Sequence, residues 1–219
     1  SPSAPTHDPT GRALASLAPQ LEGIGGAVGA AAIAAFGLDV ARLHWDMTSI
    51  SLFGDYRDPQ DGFATPRSGH PKDRRTDLKQ IQTGLAVTGD CGVPVFHRAY
   101  HVGAGEVAQV TAAMTSLRKL AGPRKFLMVG DSKLISYPNL RALSEADVQF
   151  IAPASKTYVK ATTLAAQHLL VSTAVDYVAA RDLGKAPQLR GRWRVREDTM
   201  ELAAPKGTKG PTLALRRVF

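Results

Sequence analysis

The sequence predicts an α/β protein whose sheet contains both antiparallel and parallel strands. Three segments rich in β-branched and apolar residues come first, and a Gly-Asp-Cys-Gly turn at residues 89–92 joins the second and third as a hairpin. An amphipathic helix, a strand, a second helix and a last strand follow within residues 106–153. Antiparallel strands followed by alternating helices and strands indicate a mixed sheet flanked by helices.

The N-terminal third is expected to contain helices before the first strand. Residues 1–10 are polar and Pro-rich and are predicted to be disordered, whereas the Ala and Leu content of Arg12–Phe36 predicts one or two helices. The uncharged segment Gly23–Leu38 is shorter than the roughly 17 to 25 residues of a membrane span and is built from Gly and Ala. We therefore expect a closely packed helix there, followed by a first strand at Ala41–Phe53 that ends at Gly54.

The remaining elements follow from the same kind of pattern. Residues 54–76 carry Gly, Pro and many charges and are predicted to form a long loop. The next elements are predicted as strands at Asp77–Thr88 and Val93–His101, a helix at Glu106–Leu120, a strand at Lys125–Val129, a helix at about Pro138–Ala146, and a strand at Val148–Pro153. After Ser155 we predict a separate piece that is helical in part of Thr157–Ala180 and has strands at Arg190–Glu201 and Pro211–Phe219.

Two aspartates stand out because they interrupt apolar strands. Asp46 lies inside the first strand, where a buried and unpaired carboxylate costs several kcal/mol or loses its charge, so it either meets a cation or lies on a solvated edge. Asp131 directly follows the apolar run Phe126–Val129, at the place where open α/β sheets put ligand chemistry. Adjacent strands ending in these two residues would form a Mg2+ site, because hard divalent cations bind carboxylate and phosphate oxygens.

Charge and cysteine content narrow the class of partner and compartment. The formal net charge of +8 and the pI of about 9.8 favour a polyanionic partner, with a membrane surface and simple solubility as open alternatives. The single cysteine, Cys91, excludes an intramolecular disulfide and a cysteine-based zinc site, which fits a reducing cytosol.

Three phrases resemble bacterial insertion-sequence transposases of the DDE class, in the branch with a β-rich insertion inside an RNase H-like catalytic core. HWDMTSISL at 44–52 resembles the strand that carries the first Asp. GHPKDRRTDLKQIQTGL at 69–85 resembles the segment G-x-S-K-x-x-R-x-D-L-K-Q, with Pro71 in place of Ser and Thr76 where Pro is common. VGDSKLISYPNLRAL at 129–143 resembles the second-Asp strand and its following helix, and the resemblance as a whole covers Leu38–Phe219.

The resemblance implies a function and a division of the chain. It implies metal-dependent DNA strand cleavage and transfer, with Asp46 and Asp131 as the first two acids that bind a pair of Mg2+ or Mn2+ ions. The implied partners are DNA, as element terminal inverted repeats and target, and a second copy in a homodimer, in the nucleoid-associated cytoplasm of a bacterium and without a membrane. The implied regions are a disordered and helical remnant at 1–37, a partial RNase H-like core at 38–155, and the start of the insertion at 156–219.

The third acid of the family, a Glu in a Y-x2-R-x3-E-x6-K context, has no match in the sequence. Glu145 lies too close in sequence to Asp131, and Glu197 and Glu201 lack an Arg four positions earlier. We therefore expect the third acid beyond residue 219, in agreement with a chain that starts at Ser1 without Met and looks cut at both ends. A catalytically inactive transposase relic that only binds DNA is the alternative function.

Further site residues are expected with less support from the pattern. His44 is a candidate neighbour of the site because it precedes Asp46 by two residues. Basic residues expected to contact phosphates, or else to form solvated faces, are Lys72, Arg74, Arg75, Lys79, Lys133, Arg192 and Arg194. A two-Asp phosphatase or receiver-like domain is a third possibility, but it requires β-α alternation from the start, which the hairpin at 89–92 contradicts.

Overall fold

The computed structural model describes residues 9–57, 62–69, 75–101 and 106–219, and the side chains of 106–108 and 168–169 lie outside the description. The chain divides into two compact units, Ser1–Pro153 and Ala154–Phe219. The predicted disorder at 1–10 concerns residues outside the described part, except that Pro9 and Thr10 belong to a helix. Among the described residues, no helix combines the length and the apolar character needed to cross a membrane.

The first unit contains four helices and six strands among its described residues. In chain order these are α1 Pro9–Leu17, α2 Leu21–Phe36, β1 Arg42–Leu52, β2 Arg67–Ser68, β3 Lys79–Thr88, β4 Pro94–Tyr100, α3 Glu106–Ala121, β5 Leu127–Val129, α4 Tyr137–Glu145 and β6 Gln149–Ile151. Short 3-10 turns at Ala18–Gln20 and Ser132–Leu134 precede α2 and α4. The helices and long strands match the predicted ones to within a few residues.

The strands form a single mixed sheet in the order β2-β3-β1-β5-β6. The strand β4 pairs with the same edge of β3 as β2, and β1 pairs with the opposite edge. β1 pairs antiparallel with β3, and β3 pairs antiparallel with β4. β5 runs parallel to both β1 and β6. The predicted mixed α/β sheet is therefore confirmed.

The predicted loop at 54–76 is wrong in one respect. Within it, Arg67 and Ser68 form β2, which pairs antiparallel with Gln80 and Lys79 of β3. A strand of two residues is too short to produce a periodic pattern in sequence, so only the paired backbone reveals it.

Local sequence explains where the main elements turn and stop. In the β3–β4 hairpin, the Thr88 N–H donates to the Val93 carbonyl, and Gly92 has the positive φ of +67° that the turn needs. α2 ends at Gly37, whose φ of +60° is the usual left-handed helix cap. α4 begins after Ser136, whose hydroxyl accepts the Asn139 N–H, with Pro138 in its first turn.

One face of the sheet carries the core and the other is open. Leu43 and Trp45 of β1 and Met128 of β5 are buried, and the sheet packs against helices through contacts of α2 and α3 with β4 and of α4 with β6. Alternate residues of β1, beginning with His44, Asp46 and Thr48, are exposed on the opposite face. The fully buried side chains are mostly Leu, Met and Val, as expected for a sheet packed against helices.

The second unit contains one α-helix and two pairs of strands among its described residues. These are α5 Ala161–Ala165, β7 Thr173–Val175, β8 Trp193–Val195, β9 Glu197–Leu202 and β10 Leu213–Val218. β7 pairs antiparallel with β8, and β9 pairs antiparallel with β10. The single strand predicted at 190–201 is thus two strands, because the chain leaves the ladder of β7 at Arg196 and enters that of β10. That this unit is a β-rich insertion stays a prediction.

Gly84 of β3 lies against the ring of Trp45 of β1, so a substitution at Gly84 measures how tightly the core is packed there. A Cβ at Gly84 would lie 2.0 Å from Cη2 and 2.4 Å from Cζ2 of Trp45, whose buried ring also packs on Phe96 with centroids 6.0 Å apart. We expect Gly84→Ala to lower the free energy of unfolding by about 1–3 kcal/mol, because the indole cannot move without disturbing that packing. Chemical denaturation monitored by Trp fluorescence measures the change.

Gly23→Ala in α2 is the matched control, because nothing lies within 4 Å of a Cβ at that position. It should leave stability unchanged or raise it by up to about 1 kcal/mol through helix propensity. Equal effects of the two substitutions would contradict the close contact between Gly84 and Trp45.

Candidate functional site

Asp46 lies in β1, and Asp131 follows the end of the neighbouring parallel strand β5 by two residues. In the β1–β5 register His44 is the partner of Val129, and Asp46 and Asp131 each come two residues later. Asp131 keeps an extended backbone, with φ of −79° and ψ of −178°. Asp46 is exposed on β1 and Asp131 is exposed just beyond β5, so both residues lie where the β1–β5 ladder ends.

A single pocket includes both aspartates. Its lining consists of residues from β1, from α3 and from the turn after β5, namely Trp45, Asp46, Met47, Val110, Gly130, Asp131, Lys133 and Leu134. The floor is therefore apolar, while two carboxylates and one ammonium group supply the charge. We expect the carboxyl carbons of the two aspartates to lie less than about 10 Å apart, because they would have to ligate a metal pair about 3.5 to 4 Å apart.

Hydrogen bonds to the backbone orient each carboxylate. The Met47 N–H donates to Asp46 Oδ1 at 2.7 Å, and the Lys133 N–H donates to Asp131 Oδ1 at 3.0 Å. Asp131 thereby caps the 3-10 turn at Ser132–Leu134. This cap holds Lys133 close to Asp131.

One residue that the sequence pattern does not reveal is Asn139 of α4. Its buried side chain donates from Nδ2 to the carbonyl oxygens of Lys133 and Leu134, at 3.4 and 3.3 Å. Asn139 therefore ties the turn after Asp131 to the helix that follows. In the sequence SYPNLRAL, Asn139 is a polar residue three positions after the helix cap Ser136, on the side of the helix that is buried. This position could have drawn attention to Asn139, but only the structure identifies its hydrogen-bond partners.

The donor set suits a hard divalent cation but is incomplete as an ion-pair site. Two carboxylates in one pocket match the oxygen ligands that Mg2+ and Mn2+ prefer. Within the described part of the chain, no group of three or more His, Cys, Asp or Glu side chains could hold a metal ion. Glu145 instead pairs with Arg141 at 2.7 Å, and Glu197 pairs with Arg216.

Three histidines of the first unit, His44, His97 and His101, have different surroundings. His44 is exposed on the same face of β1 as Asp46, so its role as a site neighbour stays a prediction. His97 lies on β4 opposite Leu85, which in turn lies opposite Asp46. His101 Nδ1 accepts the Thr65 N–H at 3.0 Å, which assigns it a structural contact.

The predicted phosphate contacts in the first unit fall into three groups. Lys72 and Arg74 lie outside the described residues. Arg75 forms a bidentate pair with Asp77 at 2.7 and 2.8 Å, which lowers the pKa of that carboxyl group, and the Lys79 ammonium donates to the Asp55 carbonyl. Lys133 is the predicted contact that lines the pocket of the two aspartates.

The arginines of the second unit donate hydrogen bonds mainly to other residues of that unit. Arg194 donates to the hydroxyl and carbonyl oxygens of Ser172, whereas Arg192 is exposed. Arg217 donates from Nε and Nη2 to the Asp198 carboxylate at 2.7 and 2.8 Å and lowers the pKa of that carboxyl group. DNA contacts by Arg192 and Arg194 stay a prediction.

Comparison with known proteins gives weak similarities only. No family model and no curated protein matches the chain. The Mos1 transposase paired-end complex with left transposon end is similar at 10% identity and a TM-score of 0.36, over 60% of this chain and 40% of that chain. The piggyBac transposase synaptic complex with hairpin DNA is similar at 13% identity and a TM-score of 0.36, over 51% and 22%.

The catalytic domain of the Mos1 mariner transposase is similar at 7% identity and a TM-score of 0.34, over 69% of this chain and 73% of that domain. This chain spans less than half of the first two structures. All three TM-scores are below 0.5, so these similarities indicate neither the fold nor the function of this chain.

Asn139→Leu tests the support of the turn after Asp131. The leucine keeps the volume but leaves the Lys133 and Leu134 carbonyls without their amide donor, so we expect a loss of about 1–3 kcal/mol in unfolding free energy. Ser144→Ala on the exposed side of α4 is the control and should change stability by less than about 0.5 kcal/mol. Equal stability of the Leu variant and the wild type, measured by urea denaturation, would contradict the role of Asn139.

Proposed function

We propose that this chain carries part of the active site of a DDE-class transposase, which cleaves and joins DNA strands with divalent metal ions. The observation that carries the proposal is that Asp46 and Asp131 line one pocket beside the paired strands β1 and β5. Both residues also lie in the two phrases that resemble the strands of the first two acids. The origin that fits these phrases is a bacterial insertion sequence.

The sheet supports an RNase H-like interpretation of residues 38–155. Three antiparallel strands, β1, β3 and β4, are followed by α3, β5, α4 and β6, with β5 parallel to β1 and β6. In this arrangement β1 is central, since it pairs with an antiparallel strand on one side and a parallel strand on the other. A central strand gives its side chains a rigid frame.

In the proposed reaction the side chains of this protein bind the metal ions and orient the DNA phosphate. Asp46 and Asp131 would hold divalent cations through carboxylate oxygens, with each carboxylate already fixed by a backbone N–H. Two bound Mg2+ or Mn2+ ions would supply activation of a water or 3′-hydroxyl and stabilisation of the leaving oxygen. Lys133 would place a positive charge near the scissile phosphate, and the open face of β1 would leave room for the DNA backbone.

DNA is the proposed substrate because the chain is strongly basic and the site is exposed. The formal net charge of +8 favours a polyanion, and the family resemblance specifies the ends of the element and its target. A homodimer is the proposed active assembly. The third carboxylate that the resemblance implies is not supplied near Asp46 and Asp131 by any residue that the structure describes.

Mn2+ binding tests the two-aspartate site directly. We expect the 219-residue chain to bind Mn2+ weakly and the Asp46→Asn and Asp131→Asn variants to bind at least about tenfold more weakly, because even outer-shell partners of metal ligands typically contribute that much. Electron paramagnetic resonance of free Mn2+ measures the difference. Asp55→Asn is the control, since that exposed carboxylate pairs with Arg57 outside the pocket and should leave binding unchanged.

Equal Mn2+ affinity of the wild type and the double variant Asp46→Asn, Asp131→Asn would overturn the proposed site.

Strand nicking of DNA by the 219-residue chain is a second test of the site. We expect no nicking by the 219-residue chain in Mg2+ or Mn2+, because two carboxylates hold an ion pair poorly. Metal-dependent nicking that Asp46→Asn abolishes would show that another carboxylate of this chain completes the site.

DNA affinity should depend steeply on salt and little on sequence. Each phosphate neutralised by Lys or Arg contributes a slope of about −0.9 to the plot of log affinity against log salt concentration. Fluorescence anisotropy with a labelled duplex, between about 50 and 200 mM salt, measures the slope. Asp46→Asn should bind DNA as well as the wild type, because it removes no phosphate contact, and a constant affinity across this range would contradict phosphate-dominated binding.

A further inference from the structure

The exposed side of α2 carries apolar residues at the spacing of a helix-pairing seam. Leu21, Ile24, Val28, Ala31 and Ala35 follow each other at alternating steps of three and four residues, and all five are exposed; together they are called here the heptad stripe. Leu21, Ile24 and Val28 expose 50%, 38% and 64% of their surfaces. Leu14 and Leu17 of α1 continue the same spacing towards the N-terminus, with 61% and 46% exposed. A repeat of 3.5 residues is the pattern by which two helices pack along their length.

The heptad stripe is separate from the face by which α2 joins its own unit. That inner face packs on β4 through Gly29, where a Cβ would lie 2.5 Å from the Val95 carbonyl oxygen, and through buried Ile33. Both residues lie in the C-terminal half of the helix. None of residues 21–28 is buried, and neither is any residue of α1.

The helices that carry these exposed apolar residues are intrinsically weak. The N-terminal half of α2 contains Gly23, Gly25 and Gly26, and each Gly in a helix is about 1 kcal/mol less favourable than Ala. α1 has nine residues, and isolated helices shorter than about 12–15 residues are marginal in water. The helices of residues 9–28 therefore need a packing partner beyond the contacts that the described chain supplies. Gly25, which lies beside the stripe, has open space where a Cβ would stand, and this leaves room there for a second helix backbone to approach.

Charge identifies the partner's chemistry. In residues 9–36 the charged side chains are Arg12 and Glu22, and Glu22 pairs with Arg98 at 3.4 Å. Positions beside the stripe are Ala, Gly or Gln, namely Ala18, Gln20, Gly25, Ala27, Ala32 and Ala34. A nucleic acid would require basic residues there, and a membrane-surface helix would carry Lys and Arg on its polar side. An uncharged apolar stripe does not repel its own copy, although the whole chain has a net charge of +8.

We propose that the heptad stripe pairs with the heptad stripe of a second copy of this chain, forming a two-fold dimer in the absence of DNA. A two-fold contact between identical patches is the commonest mode of self-association, and a stripe of this spacing fits its own copy. The proposal does not rest on the proposed catalytic function, since it uses no residue of the Asp46 and Asp131 pocket.

Sedimentation equilibrium of the 219-residue chain without DNA tests the dimer. The expected mass at tens of micromolar is twice the protomer mass of 23.3 kDa. Ile24→Glu should weaken dimerisation at least about a hundredfold, because each copy would bury an unpaired carboxylate in the seam. Circular dichroism of the same variant should show a partial loss of helix, because residues 9–28 lose their partner, while the Trp fluorescence of the sheet core stays as in the wild type.

Phe36→Glu is the matched control. Phe36 lies on the same helix and is 78% exposed, but it falls outside the heptad spacing, so its substitution should leave the dimer intact. A wild-type mass of 23.3 kDa at 100 µM would overturn the proposal, and so would equal dimerisation of Ile24→Glu and the wild type. Flotation of a monomeric wild type with phosphatidylcholine–phosphatidylglycerol vesicles would overturn it in favour of a membrane surface.

Discussion

The parallel pairing of β5 with β1 is the contact on which the candidate site depends. β5 is only three residues long, and its register on β1 decides which residues meet Asp46. A shift of one residue would turn Asp131 to the core face, where a carboxylate would lie among Leu43 and Met128. The buried leucines and methionines beneath the strands therefore fix not only stability but also the side to which both carboxylates point.

Support for that register comes from both sides of the short strand. The Leu127 N–H donates to the Ala41 carbonyl at 2.7 Å, and the Gly130 N–H donates to the Ile151 carbonyl at 3.1 Å. After Gly130 the chain turns at once, held by the Asp131 cap and by Asn139. Asp131 is thus fixed by backbone contacts before it and side-chain contacts after it, which is what a metal-binding carboxylate requires.

Sequence patterns predicted the long elements well because apolar periodicity and turn residues mark them. β1, β3, β4, α3 and α4 are found within a few residues of their predicted positions. β2 and the break between β8 and β9 were not predicted, since two- or three-residue strands depend on pairing and not on local pattern. Asp46 and Asp131 could be singled out because an acid is conspicuous in an apolar run, although both are exposed in the structure and carry no burial cost. Asn139 could not, because its importance lies in two carbonyls that only the folded turn brings to it.

The distribution of charge in the second unit shows why a count of basic residues is a poor guide to a DNA surface. On β9 and β10 the acids Glu197, Asp198 and Glu201 outnumber the bases Arg216 and Arg217, whereas the loop between the two strands carries Lys206 and Lys209. Both arginines face acids across the ladder, in the register Arg217 to Asp198 and in the pair of Arg216 with Glu197. The positive charge of the unit is concentrated instead in residues 190–196, where four arginines flank Trp193 and no acid intervenes. A polyanion that binds this unit is therefore attracted more to residues 190–196 than to the strands β9 and β10, whose two arginines are paired with acids.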